Sequence, residues 1–209
     1  NEVPTILQAW YLGSEAGHSL ADVLFGDVNP SGKLPFTFPV KLSDSPAHQE
    51  GMTFPTRGKN FYQEGIFVGY RWFEEKDIKP LFAFGHGLSY TTFSYGDAKI
   101  DKSSLSGNGS VTVTVRVTNA GEREGAEVVQ LYIADKESSL PRPKKELKGF
   151  EKVNLAPGAS ADVKFTITAD ALKFYDPETA GWKAEKGDFE ALIGSASDDI
   201  RTAVSFSLK

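Results

Sequence analysis

The chain of 209 residues has no cysteine, so no disulfide staples its fold. Histidine is scarce: His18, His48 and His86 are the only three, and no two lie at the i, i+4 spacing of a helical metal site. No apolar run approaches the roughly 18 residues that a membrane helix needs. A basic excess is missing too. Residues 1–90 carry 7 basic against 10 acidic side chains and residues 91–209 carry 16 against 18, which argues against a nucleic-acid partner. Neither an initiator methionine nor a signal peptide opens the chain, which starts at Asn1; the expectation is a fragment or a processed piece. What is present, 40% apolar and 24% charged residues, is the mix of a globular protein with a sizeable core in one or two domains.

Pro80 to Ile100 divides two kinds of sequence. Gly85 and Gly87 flank His86, which predicts a sharp, fixed bend. Phe82, Phe84, Tyr90, Phe93 and Tyr95 are too many rings for a solvated linker, so the stretch reads as a packed hinge. Beyond it, Ser110–Thr118 alternates apolar and polar residues with period two. Tyr95–Ile100, Glu127–Ala134, Leu147–Val153, Ala161–Thr168, Asp188–Gly194 and Thr202–Leu208 bring the expected strands to about seven, the pattern of a β-sandwich. Leu105–Gly109 reads as a turn and Ala169–Tyr175 as one helical turn.

Before the hinge the reading is α/β. Val3–Trp10 suits a buried parallel strand. A helix follows, with Ser14 as N-cap, Glu15 at the positive end of its dipole, and Ala16, Leu20, Val23 and Leu24 on one face. Gly26 is placed to end it in a left-handed cap. After the Asn29–Gly32 turn, Lys33–Phe38 looks like a second strand. Such a unit cannot bury a sheet alone and should complete a larger α/β domain. Residues 39–65, with Pro39, Pro46, Gly51 and Pro55, read as a long loop that packs through Phe54, Phe61 and Tyr62.

Four stretches resemble family 3 glycoside hydrolases, in that family's order: Gln8–Gly13, Ala21–Pro35, Glu64–Phe73 and Phe84–Phe93. The resemblance implies a mostly β chain: a fibronectin type III-like (immunoglobulin-like) β-sandwich preceded by the last strand-helix-strand part of an α/β sandwich domain. The expected boundaries are 1–40 for the α/β part, 41–92 for a wrapping loop and hinge, and 93–209 for the sandwich. The implied activity of the parent enzyme is retaining hydrolysis of terminal β-glucosyl residues, without cofactor or metal. Its partners would be the enzyme's own upstream barrel and α/β domains and an oligosaccharide substrate, with no nucleic acid and no membrane. Retaining hydrolysis needs two carboxyl groups about 5 Å apart. The resemblance places both upstream of Asn1, so no catalytic residue is expected here and the role of this chain is bracing. Other readings are a carbohydrate-binding or adhesion sandwich without catalysis, and a parent of xylosidase or exo-glucanase specificity.

Several residues carry two readings. Glu15 is either an active-site neighbour or a carboxylate satisfying helix-start N–H groups. Asp44, in the Pro-rich loop, is read as non-catalytic. His86 is read as a packed hinge residue bonded to backbone. Lys136–Lys145 is a solvated loop stiffened by Pro141 and Pro143, or a reach toward a sugar site or a dimer partner. Asn108-Gly-Ser110 forms a glycosylation sequon at an exposed turn. Trp10, Tyr11, Phe67, Tyr70, Trp72 and Phe73 are read as core or interface before sugar platforms, and Trp182 as a ring packed on an adjacent strand.

Overall fold

Two sheets meet the alternation of valine and threonine after the hinge. A computed structural model describes residues 3–49, 54 and 58–209. Its elements are helix α1 (Ala16–Phe25), two 3₁₀ turns (Leu42–Asp44, Pro46–His48), helix α2 (Tyr70–Glu75), and strands β1 (Phe93–Tyr95), β2 (Lys99–Ile100), β3 (Ser104–Leu105), β4 (Ser110–Asn119), β5 (Gly125–Asp135), β6 (Glu146–Leu155) and β7 (Ser160–Thr168). Helical turn α3 (Ala169–Leu172), strands β8 (Phe174–Asp176) and β9 (Gly181–Lys183), and the long pair β10 (Gly187–Ala196) and β11 (Asp199–Leu208) complete the chain.

In the first sheet β4 pairs antiparallel with β7 from Ser110↔Thr168 to Thr118↔Ser160, and with β1 and β2 in succession along its other edge. The second sheet has the order β3-β11-β10-β5-β6, antiparallel except for the β3–β11 edge. Val111, Val113, Val115 and Val117 of β4 are all fully buried. They face Val129, Leu131 and Ile133 of β5 and Phe189, Ala191 and Ile193 of β10 within one core. Each valine contributes about 1.5–3 kcal/mol on leaving water, so the period-two pattern is an energetic specification of which face turns inward.

The seven expected strands all form, with three refinements. Tyr95–Ile100 is broken: the Gly96 N–H still reaches Arg116 O at 2.9 Å, but the Ala98 N–H turns to Thr202 Oγ1 of the opposite sheet at 2.9 Å. Leu105 belongs to β3 rather than to the turn, which is confined to Ser106–Gly109. Ala169–Tyr175 gives a helical turn only to Leu172 and then enters the hairpin β8–β9.

The front of the chain departs further from expectation. Val3–Trp10 forms no strand and joins no ladder, and Val3, Ile6 and Leu7 are exposed. A parallel strand needs neighbouring strands, and the described residues offer none beside it. Lys33–Phe38 is not a strand either. It lies antiparallel to the hinge, with Leu34 N–H to His86 O at 2.9 Å, Gly85 N–H to Leu34 O at 2.8 Å, and one bridge between Phe38 and Phe82. Pro35 and Pro39 have no N–H to extend that pairing into a ladder. Helix α1 ends as expected, with Gly26 at φ 85° and its N–H on Val23 O. Its start differs: Glu15, not Ser14, is the N-cap, and no side chain caps the helix. Within the 39–65 loop, Phe61 and Tyr62 are exposed, as is Phe54, so the expected packing of that loop does not come from its rings.

Candidate functional site

Among the described residues, a dense set of long-range side-chain bonds lies where the hinge meets the sandwich. Gly85 takes φ 82°, a left-handed conformation that glycine adopts without cost. A Cβ there would come within 2.5 Å of the Gln130 amide. At Gly87 a Cβ would come within 2.2 Å of the Gly32 carbonyl oxygen, so the hinge and the Asn29–Gly32 turn touch backbone to backbone. The Gln130 amide, buried on β5, donates to Ser195 O at 2.6 Å and accepts from the Tyr132 hydroxyl. Burial pushes the Tyr132 phenol up, which keeps it a donor. Tyr70 of α2 stacks on Phe84 at 5.1 Å and meets Tyr132 edge-on at 5.8 Å, and its hydroxyl accepts the Leu147 N–H at 2.8 Å.

A second cluster lies at the top of β4. Asn119 is fully buried and uses its whole amide. Its Oδ1 accepts from Thr91 Oγ1 at 2.6 Å and Gly121 N–H at 3.1 Å, and its Nδ2 donates to Arg123 O at 2.7 Å and Leu155 O at 2.8 Å. Asn29 bonds Ser89, Tyr90 and Glu124, and the Tyr90 hydroxyl donates to Val23 O at 2.7 Å. Arg123 bonds Gly26 O and lies over the Tyr90 ring. These bonds anchor the C-terminal end of α1 to the sandwich.

The charges at this seam are paired. Lys33 meets Glu127 at 2.9 Å with both side chains largely buried. Arg142, expected in a solvated loop, is half-buried between Asp135 and Glu146 and lies 4.9 Å over Phe174. Lys145 bonds Glu74 of α2. Burial alone would raise Glu146, but Arg142, Lys148 and Arg71 hold it below its ordinary value. Burial raises Glu74 and Asp135, and each is paired with a cation, Glu74 with Lys145 and Asp135 with the Arg142 that it shares with Glu146.

Among the described residues, two of the cavities are lined by more than one acid. One, of about 380 Å³ at the seam, includes Lys33, His86, Glu127, Asp199 and Arg201. There Glu127 is tied to Lys33, and Asp199 is held down by Ser195 and Arg201 against the opposing effect of burial. The other, of about 470 Å³, lies between residues 136–139 and 186–188. Its acids, Glu137 and Asp188, are solvent-exposed beside Lys136 and Lys186. A retaining site pairs two carboxyl groups across the sugar, whereas the acids described here lie beside cations: Glu127 and Asp199 beside Lys33 and Arg201, Glu137 and Asp188 beside Lys136 and Lys186.

The sequence-singled residues separate accordingly. Glu15 holds the N-cap position of α1, but its carboxylate bonds the exposed His18 imidazole at 2.6 Å rather than the helix N–H groups. Asp44 is buried and accepts the Lys41 N–H at 3.1 Å, while Trp72 donates to its carbonyl at 3.1 Å. His86 is packed on Phe82 at 5.4 Å and bonds Leu34 through its backbone carbonyl. His48 bonds Phe54 O at 3.1 Å. Tyr70 and Phe73 are core, Phe67 is half-buried, and Trp10 and Tyr11 face outward. Asn108 is exposed on its turn. Gln130, Asn119 and Arg142 were missed, because a buried or half-buried polar residue is recognisable only from partners distant in sequence.

Comparison with known proteins matches residues 1–70 to the glycosyl hydrolase family 3 C-terminal domain and residues 127–197 to the fibronectin type III-like domain. The β-glucosidase BoGH3A of Bacteroides ovatus is 51% identical over 207 residues, 98% of this chain and 28% of the relative. Thermostable β-glucosidase B of Acetivibrio thermocellus is 50% identical over 96% of this chain and 26% of its own length. Among solved structures, the Bifidobacterium adolescentis GH3 β-glucosidase superposes with a TM-score of 0.88 at 37% identity, over 96% of this chain and 29% of that one. β-Glucosidase 3B of Thermotoga neapolitana, in complex with α-D-glucose, gives 0.86 at 39%, over 95% and 27%. The chain therefore spans about a quarter of the length of the relatives it matches. It belongs to the family 3 glycoside hydrolases and corresponds to their C-terminal portion.

Proposed function

We propose that the chain is the bracing part of a retaining β-glucosidase that hydrolyses terminal non-reducing β-D-glucosyl residues of oligosaccharides, with both working carboxyl groups on the remainder of the enzyme. In this reading residues 1–40 complete the α/β domain, 41–92 wrap and hinge, and 93–209 form the sandwich that holds the hinge in place.

One contrast supports the reading. The sandwich has a closed core of its own, whereas α1 buries none of its residues and Phe25 and Tyr11 stand 86% and 104% exposed. An apolar surface beside a finished core is the signature of a face meant to be covered, and the rest of the α/β domain is the cover this reading supplies. The β-glucosidase names of the relatives supply the substrate class.

The test is turnover of aryl β-glucosides. The purified 209-residue chain should be inactive while the full-length enzyme is active. Turnover by the chain, abolished by substituting one of its own Asp or Glu residues, would refute the proposal.

A further inference from the structure

The β8–β9 hairpin forms a two-stranded sheet apart from the two large sheets of the sandwich. Its inward face is locked. Phe174 and Asp176 are buried, Lys183 bonds Asp176 at 2.9 Å and Glu185 at 3.1 Å, and Arg142 and Lys183 lie over the Phe174 ring at 4.9 and 5.3 Å. Its outward face is bare. Tyr175 and Trp182 are direct cross-strand partners and meet edge-to-face at 5.8 Å and 73°, yet remain 50% and 69% exposed. Among the described residues, neither the Tyr175 hydroxyl nor the Trp182 Nε1–H has a hydrogen-bond partner.

We infer that this aromatic pair is an accessory carbohydrate-binding platform, on which the Trp182 ring stacks against the C–H face of a pyranose in a neutral glucan chain while its Nε1–H and the Tyr175 hydroxyl reach sugar hydroxyls. Size favours a sugar over a protein. The exposed parts of two such rings amount to roughly 200–300 Å², far short of the roughly 800 Å² per partner of a stable protein interface. Charge favours a neutral ligand: Lys183 is offset by Asp176 and Glu185, and Lys173 by Asp170 at 2.6 Å. The perpendicular rings leave one flat platform, with Tyr175 as its buttress. A base already fixed from beneath loses little freedom on binding.

Catalytic assays do not bear on this platform. The test titrates the 209-residue chain with cellohexaose and with laminarihexaose, following the Trp182 indole N–H by NMR, and measures retention on insoluble cellulose. The expected result is saturable movement of that resonance and retention that Trp182→Ala lowers about tenfold, the loss of one aromatic stacking contact. Trp10→Ala should leave retention unchanged. Absence of any shift in the native chain overturns the inference without requiring a variant. So does equal retention by Trp182→Ala, or sedimentation showing that the pair instead joins two copies of the chain.

Discussion

Replacing Gly85 by alanine separates backbone strain from steric exclusion at the hinge. A non-glycine residue at positive φ costs about 1–2 kcal/mol on conformation alone. At Gly85 the new methyl group would also meet the Gln130 amide at 2.5–2.7 Å, and overpacking of this kind adds about 1–3 kcal/mol. The expected loss is therefore about 2–5 kcal/mol. Gly158 is the control: its φ is 74° but nothing lies within 4 Å of an added Cβ, so Gly158→Ala should lose only the conformational part. The assay is urea unfolding of the purified chain, followed by tryptophan fluorescence and far-UV circular dichroism. Gln130→Ala alone should be destabilising, since it leaves the Tyr132 hydroxyl without its acceptor and Ser195 O without a donor. In that background the steric part of Gly85→Ala should vanish, leaving about 1–2 kcal/mol. The reasoning fails if Gly85→Ala and Gly158→Ala cost the same, or if Gly85→Ala and Gln130→Ala are additive within about 0.5 kcal/mol.

Two further outcomes are expected. Asn119→Ala strands two buried partners, Thr91 Oγ1 and Leu155 O, at about 1–3 kcal/mol each, and two part-buried ones, so it should cost at least about 2 kcal/mol by denaturant unfolding, and a loss below about 1 kcal/mol would contradict the bonding described. Glu185 is pulled from its ordinary 4.5 down to about 2 by the Ser139 N–H and hydroxyl and by Lys183. A depressed folded pKa gives stability that is complete above about pH 4.5 and lost as pH falls toward 2. Thermal unfolding from pH 6 to 2 should thus decline less steeply in Glu185→Gln than in the parent chain.

The sandwich was legible because each of its strands has one face inside and one outside. Val111, Val113, Val115 and Val117 announce that arrangement without help from any other residue. The front was less legible because a strand is a statement about neighbours. Val3–Trp10 has the composition of one and no ladder to join, while Lys33–Phe38 pairs with the hinge, a partner that no local pattern names. Glu15 misled for a related reason: an acid at a helix start suits backbone N–H groups, but His18 one turn along competes for it and wins. The β8–β9 hairpin was hidden by its brevity and by a Pro177–Ala180 turn without the usual Asn-Gly signal. The seam was the least legible part. Gln130 and Lys33 look like ordinary surface residues until Ser195 and Glu127 are brought beside them.

The Asn119 side chain has a thermal corollary. A single amide fastens the hinge, the β4–β5 corner and the last residue of β6, so none of the three can let go without disturbing the other two. Heating should therefore not peel the front of the chain away from an intact sandwich. Both should be lost in a single cooperative step, with the same midpoint whether it is observed at Trp72 or in the strands.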